Sequence, residues 1–125
     1  MVNPKLVDEQ LRGGVLQGIG AALFEQCVYD EHGQLLTSTL VDYLVPMAAD
    51  APDIETGHIE TPTQFSEGGF KGAGEAGVAG APGAVLNAVN DALSPFRARV
   101  TTFPITPERV LRALGNVQTL ARQAG

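Results

Sequence analysis

Between Gly68 and Gly83 the chain reads GGFKGAGEAGVAGAPG, a run that holds seven of its fifteen glycines and only two ionisable side chains, Lys71 and Glu75. Glycine loses the most backbone freedom on folding, and it alone lets other atoms approach the main chain from any side. A folded domain keeps such a run where the backbone itself must touch something. Glu75 is the one carboxylate offered there. Set among Ala and Gly, it has few local donors to occupy it, which leaves it available to take up a proton as a general base.

Two phosphate-loop readings fail on context. Gly72-Ala73-Gly74-Glu75-Ala76-Gly77 fits G-x-G-x-x-G, but a dinucleotide site needs a buried parallel strand just before the glycines and a βαβ unit around them. Phe65-Ser66-Glu67-Gly68-Gly69 is no such strand, and Glu75 would set a negative charge beside the phosphates. The Walker pattern G-x-x-x-x-G-K-[ST] is absent.

A chain of 125 residues with 44% apolar content is long enough for one domain with a core. A formal net charge of −6, with eight Lys and Arg and none of them in a run, excludes nucleic acid and an anionic membrane as main partners. The lone Cys27 cannot close an internal disulfide, no Cys or His spacing suits a metal, and there is no signal peptide or long apolar run. A reducing cytoplasm is the compartment these features lead one to expect.

Taken in order, Val7, Leu11, Val15, Ile19, Ala22 and Leu23 recur at helical spacing behind Pro4, which predicts one long helix from Pro4 to about Cys27. Gly13, Gly14, Gly18 and Gly20 weaken that helix, so close packing against another backbone or a ligand must compensate for them. Gln10 and Gln17 are exposed by default. Glu25–Asp30 and Gln34–Leu40 read as two β-runs joined at Gly33, Val41–Val45 as a short extended piece ending at Pro46, and Ile54–Thr61 as a further strand. His32 falls in a turn, and His58 has no His or Cys near it in sequence to share a metal. A second helix is expected to open at Pro82 and end by Ser94-Pro95, followed by a strand from Val100 to Ile105 and a short helix from Pro107 to Leu114. The expected fold class is therefore α+β. Two layers are expected, a mixed β-sheet packed by the long N-terminal helix and by the helix after the glycine-rich loop, with a domain over residues 1–115 and a tail over 116–125.

One ordered series of residues goes further. Asn3-Pro4, Gln10, Gly13-Gly14-x-x-Gln17-Gly18-x-Gly20, Asp42-Tyr43, Pro46, Thr61-Pro62, Lys71-Gly72-x-Gly74-Glu75-Ala76-Gly77, Asn87-Ala88-x-x-Asp91-Ala92 and Thr106-Pro107-Glu108 together resemble one family. It is the molybdopterin-binding large subunit of the xanthine dehydrogenase, aldehyde oxidoreductase and aerobic carbon monoxide dehydrogenase family, in its C-terminal part. The resemblance runs from Val2 to about Leu114.

What the resemblance implies is an oxidoreductase site in which an aldehyde or N-heterocycle is hydroxylated at a molybdenum atom held by molybdopterin. Glu75 matches the glutamate of the K-G-x-G-E motif that acts as the general base. Gln10 matches a glutamine that contacts the pterin, and Gly72 and Gly74 match backbone packed against the cofactor. No protein side chain of this chain is implied as a metal ligand. The family's large subunits are several times longer, so the resemblance implies one piece of a site. The cofactor would be shared with a larger molybdenum-subunit chain, with iron-sulfur and flavin subunits carrying electrons away and no turnover by this chain alone. The alternative is a non-catalytic fragment or subunit-docking domain that keeps the fold, exposes an apolar face and self-associates as a homo-oligomer.

Overall fold

The computed structural model describes residues 1–115; the tail expected over 116–125 lies outside the described residues. Helix α1 spans Pro4–Leu23. Asn3 caps it, its side chain accepting a hydrogen bond from the Leu6 amide at 3.1 Å, and Pro4 occupies the first turn, where its missing N–H is not needed. Helix α2 spans Ala76–Leu93, and a short helix, α3, spans Pro107–Ala113 with Thr106 as its cap. Single 3₁₀ turns occupy Ala48–Asp50, Glu67–Gly69 and Ser94–Phe96.

The two long helices are zipped together by small residues. Gly14, Gly18 and Ala22 are buried at every fourth position of α1, and Gly77 and Ala81 are buried four apart on α2. Residues four apart share a helix face, so each set forms a ridge with almost no side chain on it. A methyl group on Gly77 would lie 2.5 Å from the Leu11 carbonyl oxygen and 2.9 Å from the Val15 nitrogen, and one on Gly18 would lie 2.6 Å from the Ala81 methyl. The glycines thus compensate for their cost in helix stability by allowing backbone to touch backbone.

Helix α2 begins at Ala76, six residues before the expected start at Pro82, which lies inside it. An interior proline removes the hydrogen bond to the carbonyl four residues back, here that of Val78. That oxygen and the Pro82 ring both face Gly18, at 3.2 and 3.0 Å from where its Cβ would sit. The bare surface of α1 accommodates the irregularity. Helix α1 in turn stops at Leu23, short of the expected Cys27, where the Phe24 and Glu25 amides both bond to the Gly20 carbonyl.

The apolar core sits at the C-terminal end of α2. Leu93, Val100 and Ile105 are buried together, with Leu23, Val85, Leu86, Val89 and Val110 packed on them. Asn90 clamps the incoming chain, its carboxamide bonding both the N–H and the C=O of Val100 at 2.9 Å, and the Ile105 amide donates to the Ala22 carbonyl at 2.6 Å. The Phe103-Pro104 peptide bond is cis.

The mixed sheet expected from the alternating stretches is not seen among the described residues. The hairpin turn is present, with Gly33 at φ 80°, the Asp30 carboxylate accepting from the His32 and Gln34 amides, and a single antiparallel bridge between Tyr29 and Leu35. The other stretches, 41–45, 54–61 and 100–105, run without a strand alongside. A β-strand is completed only by a neighbour that takes up its N–H and C=O groups, so alternation alone cannot make a sheet. On the first two of these stretches large apolar side chains stay outside, Val41 84% and Ile59 94% exposed, whereas Val100 and Ile105 of the third turn into the core without a strand beside them.

Candidate functional site

At the opposite end of the helix pair from the core lies an open groove of about 770 Å³. One wall is the first half of α1, including Asn3, Leu6 and Gln10; the other comprises residues 57–62 and the glycine stretch from Gly68 to Gly74. The walls are joined at one point that matters for chemistry. Gln10 Nε2 donates to the Gly74 carbonyl oxygen at 2.8 Å, joining residues 64 apart in sequence. Because the NH₂ end of this carboxamide is committed to Gly74, its oxygen is left as the end that can accept from a bound group.

Glu75 comes directly after Gly74 and stands at the N-cap position of α2, with no hydrogen bond from its side chain to the helix amides. It is exposed, flanked by the groove-lining residues Gly74 and Ala76, and its carboxylate takes part in no ion pair or hydrogen bond among the described residues. Its main chain is fixed by the first turn of α2, since Gly77, two residues on, is wedged against the α1 backbone. Gly72 and Gly74 have nothing within 4 Å of where a Cβ would sit, so no other atom of the chain crowds their main chain there. Lys71 bonds the Thr61 hydroxyl, pinning the start of the loop to the 57–62 wall. Of the four residues singled out from the sequence, Gln10, Gly72 and Gly74 line the groove, and Glu75 follows Gly74 directly at its edge without lining it.

Sequence reasoning missed the fastening beneath them. His58 Nε2 lies 2.6 Å from Asp8 Oδ1, and the Thr56 hydroxyl donates to the same oxygen at 3.0 Å. The hydrogen bond from His58, with that of Thr56 adding to it, holds the Asp8 carboxyl below the usual carboxylate range. An ionised carboxylate can only accept, so the imidazole carries its proton on Nε2. Arg12 Nε donates to the Ile54 carbonyl at 3.1 Å. Sequence alone offers no signal for these pairs, which lie 42 to 50 residues apart. No group of three or more His, Cys, Asp or Glu that could hold a metal ion occurs among the described residues.

The molybdopterin cofactor-binding domain profile matches residues 1–52. The nicotine 6-hydroxylase large subunit of Paenarthrobacter nicotinovorans is 52% identical over 113 residues, 90% of this chain and 14% of that subunit. The chain belongs to the family of molybdenum-binding large subunits. Another member, the carbon monoxide dehydrogenase large chain of Hydrogenophaga pseudoflava, is 34% identical over 90% of this chain and 14% of its own length. The fold agrees as well. A crystal structure of quinoline 2-oxidoreductase from Pseudomonas putida 86 superposes on 94% of this chain with a TM-score of 0.89 at 48% identity, and the match covers 15% of that protein. The chain thus spans about one seventh of the length of these molybdenum-subunit relatives. No helix among the described residues is long and apolar enough to cross a membrane.

Proposed function

We propose that this chain contributes the general-base edge of a molybdopterin active site that hydroxylates an N-heterocycle, the remaining walls coming from other large-subunit polypeptide. The observation that carries this reading is the Gln10–Gly74 hydrogen bond, which sets the amide of one motif against the carboxylate-bearing loop of another. The residues present suit the cofactor. Gly72 and Gly74 offer bare backbone where any side chain would take up room, Gln10 keeps an acceptor free, and Glu75 has no competing partner.

When bound, the molybdenum cofactor supplies the oxidising centre at which the substrate carbon is hydroxylated. Glu75 receives the proton released in that reaction at a carboxylate oxygen, and its place at the start of α2 fixes its main chain beside Gly74. Gln10 orients the loop and offers its carbonyl oxygen to the cofactor. Molybdopterin would lie along Gly72–Gly74. A substrate of the N-heterocycle class is favoured over carbon monoxide by the higher identity to nicotine 6-hydroxylase and quinoline 2-oxidoreductase, 52% and 48%, against 34% for the carbon monoxide enzyme. Iron-sulfur and flavin subunits would accept the electrons, in keeping with relatives described as large subunits. A cytoplasmic location accords with an exposed, unpaired Cys27.

The test is Glu75→Gln in the complex that the tagged chain forms in the cells that make it. The amide keeps the shape and loses the base, so turnover of an N-heterocycle should fall by about 10²–10⁴-fold with molybdenum content unchanged. Unchanged turnover at full molybdenum occupancy would refute the assignment and leave a docking role.

A further inference from the structure

Cations and carboxylates are placed very unevenly along the chain. Residues 1–96 hold three Lys and Arg against thirteen Asp and Glu, a net −10, whereas residues 97–125 hold five Arg and one Glu, a net +4. Folding gathers three of those arginines round one hollow. Arg99, Arg109 and Arg112, with Thr101 and Thr102, line a pocket of about 240 Å³ that shares no residue with the groove. No Asp or Glu lines it. Residues 116–125 contain none that could neutralise it.

The donors round this pocket are held in place but not used up. The Asn90 carboxamide grips both backbone groups of Val100, which fixes the segment carrying Arg99 on one side and Thr101 on the other. Arg109 is half-buried and bonds the Pro104 carbonyl, a neutral acceptor, through Nη1, so most of the five N–H groups of its guanidinium stay free. Arg112 pairs with Glu108 one turn away, with both side chains exposed. Arg99 takes part in no ion pair or hydrogen bond among the described residues, and the amides of Thr101 and Thr102 make no backbone hydrogen bond there. Cations set round one hollow raise one another's energy, and a set of donors with no anion among them is matched by a group that only accepts. A guanidinium grips two oxygens of one phosphate or carboxylate at once, and it does so as a rigid fork that an ammonium cannot copy. Threonine hydroxyls and amides on the facing segment suit a group with further oxygens outside that plane, which a tetrahedral oxyanion has and a carboxylate lacks.

We propose that the pocket between residues 99–102 and α3 binds a phosphoryl group, as free phosphate or as the end of a phosphate ester. This site stands apart from the groove and does not depend on the role of Glu75. The experiment titrates the full chain with inorganic phosphate, and separately with adenosine monophosphate as a simple ester, against chloride at equal ionic strength. Backbone amide shifts in nuclear magnetic resonance spectra are the readout. The expected result is a saturable shift confined to residues 99–102 and 109–113, with a Kd of about 1 mM or below. Arg99→Gln removes a side chain that holds nothing else, and it should weaken binding by about tenfold or more. Arg109→Lys keeps the charge and loses the fork, and it should weaken binding by several-fold. Arg97→Gln removes an equal charge that does not line the pocket, and it should change the Kd by less than about twofold. Amide shifts elsewhere report whether each variant keeps the fold, and Arg99→Gln decides the matter if Arg109→Lys does not. Tighter binding of the ester than of phosphate assigns the site to an ester, and equal or weaker binding assigns it to the free ion. The proposal is overturned by shifts no greater than chloride gives, by full affinity in Arg99→Gln, or by equal weakening in Arg97→Gln and Arg99→Gln, which would mark diffuse charge in place of a site.

Discussion

Adding one methyl group to Gly77 tests the claim that α1 and α2 are held by backbone contact. The Cβ of Gly77→Ala would sit 2.5 Å from the Leu11 carbonyl oxygen, 2.9 Å from the Val15 nitrogen and 3.2 Å from the Gly14 carbonyl carbon. All three are main-chain atoms of one helix, so none can rotate away. An ordinary carbon–oxygen contact is about 3.3 Å or more, so the helices must part by roughly 0.8 Å. A gap of that size forfeits a quarter to a half of each dispersion contact along the Gly14–Gly18–Ala22 ridge. Overpacking of this kind costs about 1–3 kcal/mol, and alanine's better helix propensity returns at most about 1 kcal/mol, less at the second position of a helix. Gly80→Ala is the internal control, three residues along the same helix with nothing within 4 Å of the new methyl, and it should stabilise by about 0.5–1 kcal/mol. The two single-methyl variants should thus differ by about 0.5–4 kcal/mol, with Gly77→Ala the less stable. Urea unfolding monitored by far-ultraviolet circular dichroism reads this as a lower midpoint for Gly77→Ala and a higher one for Gly80→Ala, at equal slope. A Gly77→Ala midpoint at or above that of Gly80→Ala would refute the close crossing.

Three other contacts lend themselves to the same kind of perturbation. Asn90→Ala removes both hydrogen bonds to the Val100 backbone and leaves two half-buried polar groups unpaired, so it should destabilise by about 2–4 kcal/mol in the same assay. The Asp8 carboxyl is depressed in the folded chain, so its contribution to stability is present above the ordinary carboxylate range and is lost as pH falls through its lower folded value; Asp8→Asn should flatten the acid side of a stability-against-pH curve below about pH 4. The Tyr43 phenol donates to Glu25 at 2.5 Å and is raised above the usual tyrosine value by that bond and the neighbouring charge. Absorbance titration should show one of the chain's two tyrosines ionising late, and Tyr43→Phe should abolish that late step.

The helices were legible from the sequence because their signals are local. Asn3-Pro4 and Thr106-Pro107 mark the starts of α1 and α3, and the apolar spacing of Val7 to Leu23 gives the face of α1. The start of α2 was misplaced at Pro82 because a proline usually opens a helix. Here Gly18, sixty-four residues earlier, makes room for one in the interior. The expected sheet depends on neighbours that a stretch such as 54–61 cannot specify by itself, since alternation shows a strand's two faces and says nothing of what lies along its edges. Within the site, Gln10, Gly72, Gly74 and Glu75 were reached through a family pattern. Their proximity depends on the α1–α2 crossing, which no periodicity encodes. Asp8 went unnoticed because a single carboxylate on an exposed helix turn looks the same in sequence whether or not His58 reaches it.

The ridge of missing side chains has a bearing on the acid at the entrance of α2. A single residue, Ala76, separates Glu75 from the spot where the helices touch, and at that spot there is no flexible group to absorb a shift. Moving one helix along the other by a fraction of an ångström would carry the carboxylate with it by about the same amount. Under the role proposed for Glu75, the alignment of this acid with a reacting atom would be inherited from the seating of two rods, and a change at the glycines of α1 would be felt where the proton is received.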